Sequence, residues 1–104
     1  MKNSHLECTV LIELLLKVRS YVDSPNTDVS WSRFKDVDEA LGYLDACIER
    51  LRQGNGSDIG DLKIIFAPTG SLQEISISSG WGNEFIEISN RFDDVMANGR
   101  KLIE

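Results

Sequence analysis

The side chains best equipped for chemistry in this chain are a single histidine, His5, and two cysteines, Cys8 and Cys47. Nucleophilic catalysis needs a thiol or hydroxyl held against a base that a third group orients. His5 and Cys8 are three residues apart and would share a helix face, but nothing in the sequence supplies the third group. Two protein ligands also fall short of a zinc site. Neither cysteine belongs to a CxxC pair, and no flanking positive group marks either as an activated thiolate. Both are expected as small core residues. If their helices are neighbours, they are close enough for an adventitious disulfide.

The carboxylates are many but not grouped for acid–base or metal chemistry. Asp36, Asp38 and Glu39 crowd the start of a helix, where the helix dipole favours acids in any case. Asp45 and Glu49 stand four apart on one outer face, a mildly unfavourable like-charge spacing that a basic partner would relieve. Asp93-Asp94 lacks the glycine and distal Glu of a calcium loop. Gly54-Asn55-Gly56 and Gly80-Trp81-Gly82 do not continue as phosphate-binding loops, and no lysine follows where one is required. The expectation is no catalytic residue, no metal and no cofactor, and therefore not an enzyme.

The elements that carry these residues can be read from periodicity. Residues 5–22 form a predicted helix with Leu11, Leu15, Val18 and Val22 on one face and Leu14 beside them. Leu16 projects from its polar side, with Ile12 at the border, and this pair is the candidate interface if the protein self-associates. A polar, turn-rich segment from Asp23 to Ser32 includes Pro25 and leads to Trp31 and Phe34. Asp36, with Glu39 three residues on, opens a second helix. Its stripe is Val37, Ala40, Leu41, Leu44, Cys47, Ile48 and Leu51, and Gly54 ends it.

Beyond a connector from Gly54 to about Asp61 the pattern shortens. Leu62 to Phe66 is a compact apolar run, Pro68-Thr69-Gly70 punctuates it, and Ile75-Ser76-Ile77-Ser78 alternates with period two. This predicts a β-hairpin pairing 62–67 with 72–79. Ser71-Leu72-Gln73-Glu74 competes with it, because S-x-x-E is a capping box that would open a helix instead. Asn83 can cap a last helix carrying Phe85, Ile88, Phe92 and Val95 or Met96, and Asn98-Gly99 is its expected end. Ile86-Glu87-Ile88 admits a third strand. The predicted fold is one compact α+β domain over residues 1–104: an N-terminal αα-hairpin, a small antiparallel β-hairpin and a C-terminal helix. The alternative is all-α with four to five helices.

Seventeen acids against eleven Lys and Arg leave a net charge of −6. That balance argues against nucleic acid, which is bound by clustered bases that release counterions, and against anionic membrane surfaces. No apolar run approaches the roughly 20 residues of a membrane span, and Glu13 interrupts the best candidate for a leader, so a cytoplasmic protein is expected. Trp31 and Trp81 lie in turns, Trp81 between two glycines. Each either caps the core or serves as a binding anchor, the role in which Trp dominates interfaces. In its general character (about a hundred residues, acidic, without a catalytic set) the chain is similar to many bacterial immunity proteins, which neutralise basic nuclease toxins. That likeness implies a non-enzymatic inhibitor whose carboxylates occlude a cationic site. Its expected contacts are Trp31, Asp36, Asp38, Asp45, Glu49, Trp81, Glu84 and Glu87. The other reading is a homo-oligomeric structural or regulatory protein built on Ile12 and Leu16.

Overall fold

The computed structural model describes the backbone of residues 2–103 and the side chains of residues 9–97. Among these residues all regular structure is helical: α1 (Lys2–Val22), α2 (Val37–Arg52), α3 (Ile59–Ile65), α4 (Ser71–Ser79) and α5 (Gly82–Ile103). Helix α1 packs against both α2 and α5, α4 lies on α5, and α3 touches α4. No helix of the described residues is long and apolar enough to cross a membrane.

The first two helices follow their sequence signals. Leu11, Leu14, Leu15, Val18 and Val22 of α1 are all buried, on the expected face. Beyond Val22 the Thr27 hydroxyl donates to the Val22 carbonyl at 2.6 Å, satisfying a helix-end acceptor as the chain turns away at Pro25. Asp36 caps α2 from extended backbone, its carboxylate accepting from the Glu39 N–H at 2.8 Å. Glu39 reaches back to the Lys35 N–H at 2.8 Å, one residue before the partner a strict capping box would use. At the other end Gly54 takes a φ of 77°, and the N–H groups of Gly54 and Asn55 return to the carbonyls of Leu51 and Arg50. That paired closure needs a left-handed residue, which glycine adopts without a Cβ penalty.

The α+β prediction is overturned between residues 59 and 79, and the all-α alternative with five helices holds. Leu62 and Ile65, with Phe66 just beyond, are buried at i, i+3 and i+4, and so are Leu72, Ile75 and Ser76. On a strand Ile75 and Ile77 would share a face. Here Ile75 is fully buried while Ile77 is 60% exposed, so the period-two run has a helical burial pattern. The S-x-x-E signal marked the right place but not the cap: Gly70 is the N-cap residue, and Ser71 turns its hydroxyl to another segment. Gly70 is required for closeness, because a Cβ there would fall 2.5 Å from the Ile64 carbonyl oxygen and 2.6 Å from that of Ile65.

Helix α5 also departs from expectation. It begins at Gly82, one residue before Asn83, and its backbone continues through Asn98-Gly99 to Ile103. The third-strand reading of 86–88 fails because Ile88 is buried and Ile86 is half exposed, as helical geometry demands. A row of aromatics ties α5 to the rest. Tyr21 stacks on Trp81 at 5.0 Å, Trp81 meets Phe85 edge-on, and Phe66 stacks between Phe85 and Phe92, the latter at 4.3 Å. Such pairs add to the burial of the rings themselves.

Candidate partner-binding surface

Between α1 and α2 the chain crosses α4 as an irregular strap, residues 23–36. It is fastened at two points: the Asp28 N–H donates to Ser79 Oγ at 2.9 Å, and the Arg33 N–H donates to Ser71 Oγ at 3.1 Å. The two serines are the first and last residues of α4, so the strap follows the helix from end to end. Short local bonds stiffen it. Asp28 accepts from the Ser30 N–H; hydrogen bonding from the Ser30 side chain, and then from that N–H, holds its carboxyl below the usual range. The Ser32 hydroxyl donates to the Val29 carbonyl while accepting from the Phe34 N–H.

The C-terminal end of the strap is held further by side chains. Phe34 is buried against Tyr43 of α2, and the Arg33 guanidinium lies over both rings at 5.5 and 5.0 Å. Arg33 also forms a two-pronged ion pair with Asp61 of α3, one prong at 3.0 Å to Oδ1 and a shorter one to Oδ2. Tyr43 donates its hydroxyl to the same Oδ2 at 2.5 Å. The guanidinium first, then the phenol, bring the Asp61 carboxyl down to about 2. Burial, and then the bond to Asp61, push the Tyr43 phenol well above its ordinary value. One turn earlier, Arg50 of α2 pairs with Asp58 at 2.6 Å, so two arginine–aspartate pairs fix the start of α3.

Trp31 stands between the two fastenings, and its side chain is not used by the core: 75% of the residue is exposed, the most of any large hydrophobic in the described chain. The other indole is placed differently. Trp81 is only 5% exposed, built into the aromatic row, and its Nε1–H has no acceptor among the described residues. The glycines on either side therefore let it enter the core, and it leaves the set of surface contacts.

The expected acidic contacts fall into two groups. Asp38, Asp45 and Glu49 are exposed on α2 within about 40° of one another around the helix axis, at about 100° per residue. Asp36 stands at the start of the same helix, five residues after Trp31, with its carboxylate engaged as the cap. Asp45 is paired with Arg19 of α1 at 2.5 Å, which lowers its pKa, and Glu49 accepts from Gln53 at 3.3 Å. Glu84 and Glu87 are exposed on α5, another element from the α2 acids. Of the candidate self-association pair, Leu16 is 43% exposed, whereas Ile12 is half-buried and packs against the core.

The side chains of His5 and Cys8 lie outside the described residues. Cys47 is buried, and burial raises its thiol above the ordinary value. Among the described residues no group of three or more His, Cys, Asp or Glu could hold a metal ion. Arg33, Tyr43 and Asp61 carried no signal in the sequence, because Arg33 and Asp61 meet across 28 positions of chain and no local pattern links them. No family model, curated protein or solved structure matches the chain.

Proposed function

We propose that this chain is a non-enzymatic, cytoplasmic binding protein that docks on a basic protein, with Trp31 as anchor and the outer face of α2 as its acidic flank. One observation carries the reading: a tryptophan left outside the core on a strap that is fastened on both sides of it. An exposed indole on mobile backbone would lose entropy on binding, whereas one on held backbone keeps more of its contact energy. Asp38 and Glu49, without an ion pair among the described residues, and beside them the cap Asp36 and the Arg19-paired Asp45, favour a cationic partner and speed its capture. The sharpest form of the proposal is an immunity-type inhibitor that covers the cationic, nucleic-acid-binding site of a nuclease-like toxin.

The test is direct binding to such a toxin domain, if a reading frame beside the gene encodes one, by calorimetry at several salt concentrations. Affinity should fall steeply with salt, and Trp31→Ala should cost at least about 2 kcal/mol, as a hot-spot residue does. Binding that ignores both the salt and the Trp31→Ala change would remove the proposal.

A further inference from the structure

On another part of the molecule, the turn joining α3 to α4 and one side of α5 enclose an open groove of about 550 Å³. Phe66, Pro68, Ile86 and Met96 give it apolar walls. Ile86 is 52% exposed. The apolar surface continues past it: Gly82 is one turn before Ile86 on α5, and the Ile77 side chain lies 3.6 Å from where a Gly82 Cβ would be. Ile77 is itself 60% exposed, so beyond the Ile86 wall a second large exposed hydrophobic lies about one turn of α5 away. Contiguous apolar surface of this kind marks an interaction face.

The charge at the rim says what fits there. Among the described residues, Lys63, from α3, and Asp93, from α5, are the only charged ones that line the groove, and they come from different helices. Both are exposed, and among the described residues neither takes part in an ion pair. We propose that the groove is a self-association face, occupied by a second copy of this chain. A two-fold axis running along the groove sets the α3 wall of one copy against the α5 wall of the other. Each Lys63 then meets the partner copy's Asp93, and both pairs form at once. Two chains of net charge −6 repel elsewhere, but the Lys63 and Asp93 charges of this rim are complementary to themselves across the axis. Exposed Ile77 and Ile86 of both copies become covered. This face is distinct from the Trp31 strap, and it stands or falls independently of the proposed partner.

Sedimentation equilibrium from roughly 5 to 500 µM covers the affinities expected of a small interface. The mass should rise from one chain to two. Ile86→Glu should keep it at one. Lys63→Glu and Asp93→Lys should each weaken the dimer about tenfold or more, since each turns two attractive contacts into two repulsive ones. The double variant carrying both swaps should recover to within about threefold of the unmodified chain, which a general loss of folding could not produce. Circular dichroism on each variant checks that the helices persist. A single-chain mass at all concentrations would overturn the proposal, even if the groove then took up an apolar dye. So would a dimer indifferent to Ile86→Glu, or charge swaps whose losses add instead of cancelling.

Discussion

Loosening the Arg33–Asp61 clasp tests the link between fold and binding surface. Arg33→Met keeps an apolar stem against Phe34 and Tyr43 but removes the ion pair and the cation over the two rings. The paired side chains are 41% and 39% exposed, so solvent screening holds the ion pair to about 1 kcal/mol, the upper end for surface pairs because it is two-pronged. The ring contacts add roughly 0.5 kcal/mol at such exposure. Arg33→Met should therefore destabilise the protein by about 1.5 kcal/mol, and a double-mutant cycle with Asp61→Asn should return about 1 kcal/mol as the coupling. For a domain of this size that single change lowers the melting temperature by roughly 6–10 °C. The pH dependence has a fixed sign. Asp61 titrates near 2 in the folded protein, below its unfolded value of 3.8, so its contribution is complete above about pH 4 and is lost as pH falls through 2. Asp61→Asn should flatten that part of the stability profile. The local effect is read from Trp31 in a Trp81→Phe background, where Trp31 is the sole indole. Its fluorescence anisotropy should drop in Arg33→Met at a temperature where the helices remain intact. Unchanged anisotropy together with a coupling near zero would refute the claim that this clasp holds the strap.

Three further substitutions probe the region where strand and helix readings compete. Ile75→Ala should cost about 3 kcal/mol by urea denaturation and Ile77→Ala less than about 0.5, because only Ile75 is buried. Equal costs would favour a shared strand face. Gly70→Ala should cost at least about 2 kcal/mol, since the added carbon would meet backbone oxygens that cannot rotate away. A neutral result in the same titration would mean that the α3–α4 turn is more open than described.

The long helices were legible because their apolar stripes run over many turns, and α2 also carries its expected capping residues at both ends. Asp36 and Gly54 bracket α2 as their residue types require. Helices α3 and α4 were not legible, for a physical reason. At seven and nine residues they are barely two turns long, so buried positions at i, i+3 and i+4 look much like one strand face in a short apolar run. What decides between them is tertiary: Phe66 must reach Phe85 and Phe92, and Ile75 must enter the core while Ile77 stays out. Trp81 illustrates a related limit for the site. Flanking glycines allow a close approach of backbone without saying whether the neighbour is a partner or the protein's own core, and here it is Tyr21.

The placement of charge bears on how a partner would be held. Asp45, Asp58 and Asp61 have arginines within the fold, so their carboxylates are largely neutralised at short range. Asp38, Glu49, Glu84 and Glu87 form no ion pair among the described residues, but they are exposed and divided between α2 and α5. At physiological ionic strength exposed charges more than about 8 Å apart are largely screened, so these acids act mainly through the summed field that a partner meets on approach. Attraction from α2 should then act on the rate of encounter, while dissociation is governed by how completely a partner buries Trp31. On this division of labour, neutralising Asp38 and Glu49 together would slow association and leave the lifetime of the complex almost unchanged. Trp31→Ala would do the reverse.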